Sequence, residues 1–480
     1  MQLSWVILSV LVIAPAEKPA GSLLEAARAM EGRSAYGVFI AGKRVGYEIE
    51  DQKLVLWQGR PALMGITESV LDIKIEGARN RMVSREVTVN SLDGDGPVIF
   101  FSANIDEAGE KVERQADDNG KGGLTITTRR RGRVERRDVP FPKATVRDHA
   151  DYLAWLSRAP KAGERLKSWS CSWDKDEINA PVERVVKVAA GVGRAKLCQL
   201  EERVDGAVTL IDTTLEGNSL RMRIGPMDLR REDEATARRI DAGNVDIIES
   251  SVVALDKDPG DPRRVDRLVL FATGLEDFPP LVDGRQKVEP VGSGRWRVTL
   301  ERERGQGPVK PLDIAERAAM TRPTTTIQSA DPRVLALAKN WAKGETRPEA
   351  LAANLCRGVF GYLKKTLAAN SEDALTILDR REGDCTEHTL LFVAVARAAG
   401  LPAREVGGLA LGQSQGKPVL AWHAWPEYHD GSCWRAVDPT WNEPGGVDGT
   451  HWKLSVGDRD SAWLNLMGRL KVKVERVETR

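Results

Sequence analysis

An excess of charge of either sign is missing from this 480-residue chain: 71 Lys and Arg face 70 Asp and Glu, a net charge of +1. No global field therefore favours nucleic acid or an anionic lipid surface. One local exception, Arg129-Arg130-Arg131-Gly132-Arg133 with Arg136-Arg137, alternates with Thr127, Val134 and Glu135 and reads as a solvated hairpin. Beyond Ile13 no apolar run approaches the ~20 residues a membrane-spanning helix requires. The chain also lacks a glycine-rich phosphate loop and calcium-loop spacing, so no cofactor is implied, and it shows no convincing internal repeat. Cysteine is scarce. Its count, five, is odd, which in an oxidising compartment leaves a free thiol. The separation of Cys171 and Cys198 could suit a disulfide between neighbouring strands, whereas Cys356, in a predicted helix, reads as a buried small hydrophobe.

What is present begins with an apolar run, Leu3 to Ile13, followed by Ala14-Pro15-Ala16 and the polar Glu17-Lys18. At ~12 residues it is too short to span a bilayer and matches a signal peptide over 1–16. Export to the periplasm or the extracellular space is expected, leaving no stable membrane span. The absence of Lys or Arg ahead of the run keeps an uncleaved anchor as the alternative.

Period-two alternation broken by turn residues then dominates. Tyr36 to Ile40, Val45 to Ile49, Ser84 to Val89, Leu124 to Thr127, Ala207 to Ile211 and Leu220 to Ile224 read as strands, with a helix over Asp148 to Leu156. These define a β-rich domain over 22–229, followed by a small β domain over 242–312. From Asp331 the pattern becomes helical. Asp331-Pro332 supplies an N-cap and a first-turn proline, and Val334, Leu337, Ala338 and Trp341 share one face. Leu351 to Leu363 and Asp373 to Leu378 follow, and then a helix capped by Asp384. Strands at Ala403 to Val406, Val419 to Tyr428 and Trp434 to Val437 complete a unit over 325–456, leaving a C-terminal segment over 457–480. The fold class is α+β: antiparallel β domains followed by helices packed on an antiparallel sheet. A chain starting near Thr321 is expected to fold alone, because everything catalytic follows it.

Three residues in that last unit carry chemistry. Cys385 begins a helix whose unpaired N–H groups stabilise a thiolate, and its own N–H is a natural oxyanion donor. His423, mid-strand between Trp422 and Trp425, can take a proton and return it to a leaving amine, and Asp438, at a strand end, can fix the imidazole tautomer. Trp341 or Trp422 could add an indole N–H to the oxyanion site, and Trp422 and Trp441 could line an acyl groove. His388 lies one turn along from Cys385 and could be an alternative base, but is expected to bond a carboxylate or backbone group beneath the site. His429 and His451 read as surface loop residues.

Arg381-Glu382-Gly383-Asp384-Cys385-Thr386-Glu387-His388, Ala398-Ala399-Gly400-Leu401-Pro402-Ala403-Arg404, His423-Ala424-Trp425-Pro426-Glu427 and Val437-Asp438-Pro439-Thr440 together resemble the transglutaminase-like superfamily of papain-related thiol enzymes. The resemblance covers roughly 331–456, with Pro426 where a valine is more usual. It implies a catalytic triad of Cys385, His423 and Asp438, no metal, and a protein or peptide substrate. The leading expectation is a cysteine peptidase or amidase: Cys385 forms a thioester from a peptide or side-chain amide, and water resolves it. An amine-accepting, protein-crosslinking transglutaminase is the first alternative. A binding or scaffold protein with a silent triad is the second.

Overall fold

A computed structural model describes residues 23–75, 78–190, 197–240, 245–246, 251–276, 278, 281–305, 307–366, 373–457 and 461–480. The expected signal peptide, 1–16, lies outside the described residues. Among them no helix is long and apolar enough to cross a membrane. The chain forms two compact units that meet in sequence at 247/248.

The upstream unit is built on one antiparallel sheet of fourteen strands. Eight run as a meander from Gly32 to Pro140 and six from Arg165 to Glu232; the two runs join where Gly32–Ile40 pairs with Met227–Glu232. Short turns explain the meander. The basic stretch is such a turn: Arg131 and Gly132 take φ of 48° and 76° between Gly123–Arg130 and Arg133–Pro140. The helix Val146–Ser157 starts with a reciprocal cap between Thr145 and Asp148. Phe101, Ile105, Leu124 and Ile126 form a core on which Trp173 stacks, 4.3 Å from the Phe101 ring. All five cysteines are free thiols, and Cys171 and Cys198 lie on strands separated by a third.

Glu48 breaks the apolar logic of this unit. It lies opposite Tyr36 and Ser69, wholly buried, with neither carboxylate oxygen hydrogen-bonded. Burial, and next the Glu86 carboxylate, push its pKa from 4.5 up to about 8. The folded state thus keeps a proton that the unfolded state gives up, so stability falls as pH rises from 4.5 towards about 8. Glu48→Gln is expected to melt several degrees higher than wild type at pH 8, with the gap closing near pH 4. Thermal melts at the two pH values check this, and a pH-independent gap would show that the carboxyl is not the cause.

In the downstream unit, the helix Cys385–Ala398 is nearly all buried and touches the helices Pro332–Ala342, Pro348–Tyr362 and Ala374–Arg380 as well as the strands Ala403–Ser414 and Lys417–His429. Val334, Ala338, Leu355, Val359, Leu391, Phe392 and Val395 fill the space between them, with Cys356 fully buried among them. Burial of each large apolar side chain is worth roughly 1.5–3 kcal/mol. The five-stranded sheet runs Val253–Ala254, Lys417–His429, Ala403–Ser414, Trp452–Val456, with Trp434–Ala436 also on Lys417–His429.

Here the expected boundaries need correction. The 242–312 segment and the 457–480 segment are not separate from 325–456. Lys471–Thr479 pairs with Val265–Thr273 in one four-stranded sheet, and that sheet shares a core with the five-stranded one: Leu268, Leu270, Val298, Leu300 and Val472 pack with Leu409, Leu420, Trp452 and Leu454. The reason is amphipathicity. A short sheet with one apolar face cannot stand alone and covers it with its neighbour's. Polar ties reinforce the junction: the Arg285 guanidinium donates to the His451 carbonyl (2.7 Å), and Gln286 exchanges two 2.8 Å bonds with the backbone of Lys453.

Candidate active site

Cys385 is the first residue of its helix. Asp384 caps it, accepting from the Thr386 N–H (2.6 Å), while Glu387 reaches back to the Asp384 N–H (2.7 Å). This reciprocal cap fixes the angle at which the chain enters the helix and holds the sulfur at the N-terminal end of the dipole. His423 sits on Lys417–His429, opposite Gly408 in the register. A Cβ at Gly408 would stand 2.0 Å from the Trp452 carbonyl oxygen, so only glycine lets the strands close here. Asp438 follows Trp434–Ala436, which pairs with the strand bearing His423.

These elements bring the three expected residues together. His423 Nε2 donates to Asp438 Oδ2 at 2.8 Å, and the ring is also hydrogen-bonded to Cys385. With Nε2 on the carboxylate, Nδ1 is the nitrogen left for the sulfur. Burial works against a charged imidazole, but Asp438, by charge and hydrogen bond, and then Cys385 lift the His423 pKa to about 10. Burial likewise opposes ionisation of Asp438, yet His423 and then His451 hold its carboxyl well below the usual range. Its other oxygen accepts from the Thr440 N–H (2.6 Å) and the Trp441 N–H (3.3 Å). The indole of Trp441 stacks on the His423 ring at 4.1 Å and 7°, covering one face of the imidazole. Such a line can generate a thiolate–imidazolium pair, attack a carbonyl carbon and return the proton to the leaving group.

His388 Nδ1 is 2.6 Å from the Asp384 carbonyl oxygen, one turn back in its own helix, and burial lowers its pKa. It bonds backbone beneath the site, as expected. Three other expectations change. The Trp422 indole N–H donates to the Ser251 carbonyl (2.9 Å) and its ring packs on Trp463, so it is engaged away from an oxyanion. His429 and His451 are not surface residues; both are buried, His429 bonded to the Lys310 carbonyl and His451 to two carboxylates. An ion-pair cluster to which the sequence assigned no role completes the surroundings: Glu427 accepts from Arg404 and from Lys453 (2.7 Å), and Lys453 also pairs with Asp283. The ring of Trp341 packs edge-on against Tyr362.

Among the described residues two sets bring ligand-type atoms within 4.8 Å of one another: His423, Asp438 and His451, and Glu443, Asp448 and His451. Hydrogen bonds inside these sets already occupy both His451 nitrogens and the oxygens they face.

The thiols differ in their surroundings. Cys385 is half-buried and bonded to an imidazole, whereas burial pushes the thiols of Cys171, Cys198, Cys356 and Cys433 up. Iodoacetamide at mildly acidic pH is expected to label Cys385 ahead of the other four, read by peptide mass mapping of the native protein. Equal labelling of all five would remove the basis for a reactive thiol.

Residues 335–439, which include all three site residues, match the model of the transglutaminase-like superfamily. A protein-glutamine gamma-glutamyltransferase of Pseudomonas aeruginosa is 34% identical over 123 residues, 23% of this chain and 18% of that protein, so the match spans under a fifth of the relative's length. The periplasmic domain of TgpA from Pseudomonas aeruginosa is 19% identical, with 59% of this chain and 72% of that one covered at a TM-score of 0.24. A candidate cysteine protease from Cytophaga hutchinsonii is 15% identical, with 45% and 86% covered at 0.29.

Proposed function

The C-terminal part of this chain is transglutaminase-like, and from that premise we propose that it is a thiol acyl-transfer enzyme acting on peptide or side-chain amides. The observation that carries the reading is the buried line from Cys385 through His423 to Asp438. Cys385 Sγ attacks the amide carbonyl carbon while the oxyanion takes the helix N-terminal N–H of Cys385. His423 delivers its proton to the leaving nitrogen, and a thioester forms. Water, activated by the now neutral imidazole, then attacks the thioester and releases the acid. Hydrolysis is the primary reading because water is the default acceptor. The 34% identity to a protein-glutamine gamma-glutamyltransferase favours a second one, in which a primary amine resolves the same thioester.

The reading extends to the rest of the chain. The apolar run Leu3 to Ile13 directs export, and the upstream β unit docks the substrate. The test is to incubate the protein with a peptide panel, with and without a primary amine, and to identify products by mass spectrometry. Acid products mean hydrolysis and amine adducts mean transamidation. Neither, with Cys385 intact and labelled, leaves the silent-triad alternative.

A further inference from the structure

Asp438 has a second histidine. His451 Nε2 lies 3.3 Å from Asp438 Oδ2, the same oxygen that receives His423. Its Nδ1 lies 3.2 Å from Asp448 Oδ1, which also accepts from the Thr450 N–H (2.8 Å) and hydroxyl (2.6 Å). Both carboxylates and the ring are fully buried. The ring is clamped edge-on between Trp425 (5.1 Å, 87°) and Trp441 (5.4 Å, 70°). A neutral imidazole donates from one nitrogen only and would aim a lone pair at the other carboxylate; donation at both ends requires the imidazolium. We propose that His451 is a positioning residue: a permanently protonated imidazole that holds Asp438 ionised and oriented while His423 gains and loses its proton.

The need for it follows from the reaction cycle, and the inference rests on the triad reading above. When His423 gives its proton to the leaving amine, Asp438 would stand as a buried carboxylate with no cation beside it. His451 supplies that cation throughout. By sharing Oδ2 it also weakens the hold of Asp438 on the His423 proton, so that the proton can leave. The groups facing His451 are Asp438, Asp448, Glu443 and His423, while the Arg285 guanidinium holds its carbonyl. Cys356 and His388 face Asp438 from their helices. Burial alone would strip the proton from His451, but Asp448 and the two hydrogen bonds bring its pKa to about 9.

The test follows iodoacetamide alkylation of Cys385 against pH in the full chain, for wild type, H451F, H451Q, D448N and H423A. Loss of the buried cation removes positive charge that favours the thiolate over the thiol, so H451F is expected to shift the alkylation profile about one unit to higher pH and to slow alkylation at mildly acidic pH about tenfold. D448N keeps the ring on Asp438 but removes the anion that holds its second proton, and H451Q retains one donor; both are expected to shift in the same direction, but less. If D448N and H451Q superimpose on wild type, His451 has no such role, and these two decide the matter if H451F does not fold. If H423A also superimposes on wild type, the triad itself fails and the proposal falls with it.

Discussion

Replacing His423 with alanine is expected to lower the rate of Cys385 acylation by about 10³-fold or more. His423 is the only ring among the described residues that is bonded to both the sulfur and a buried carboxylate. Without it the thiol has no proton acceptor and the leaving amine no donor, so the two halves of the step fail together. Cys385→Ala removes the nucleophile, and combining it with His423→Ala should cost no more than Cys385→Ala alone, because residues acting as a unit do not add. His388→Ala is the informative contrast: its ring bonds the backbone of its own helix, so its loss should reduce stability more than rate. Single-turnover acylation measured beside thermal melts separates the two. A dead His388→Ala beside a nearly normal His423→Ala would reassign the base.

A chain starting at Thr321 is expected not to fold, although the motifs all lie beyond that point. It would lack Val265, Leu268, Leu270, Val298 and Leu300, which are buried against Leu409, Leu420, Trp452 and Leu454. Each such burial is worth roughly 1.5–3 kcal/mol, and together they rival the 5–15 kcal/mol net stability of a domain. Arg285, Gln286 and Asp283 go too, leaving the His451 carbonyl and the Lys453 backbone without those partners and the Lys453 ammonium with Glu427 but not Asp283. A chain starting near residue 248 keeps all of these groups. Circular dichroism and Cys385 labelling of both should show a cooperative melt only for the longer one. A well-folded Thr321 chain would mean that the four-stranded sheet is dispensable.

The difference between motif and fold also shows what can be read from the sequence. Helix starts were legible because their signals are local: Asp331-Pro332, Asp373 and Asp384 all cap as their side chains dictate. Cys385, His423 and Asp438 were legible because they come in one order at a helix start, within a strand and at a strand end. The pairing of Val265–Thr273 with Lys471–Thr479 was not, since alternation tells a strand which face is apolar but not which distant strand lies beside it. His451 was passed over because a single histidine in the loop Gly445-Gly446-Val447-Asp448-Gly449-Thr450 carries no periodicity. The available hint was Asp448 three residues before it, which could have suggested a buried pair.

That long-range pairing also imposes an order in time. Val265–Thr273 is the first strand of its four-stranded sheet to be made, and the strand that covers its edge, Lys471–Thr479, emerges only after every described helix of the unit. Until then the apolar face carrying Leu268 and Leu270 lacks Val472 and Val474, and non-local pairings of this kind close slowly. The thiol centre is therefore late to mature: the nucleophile is synthesised well before the strand that completes the sheet packed behind it.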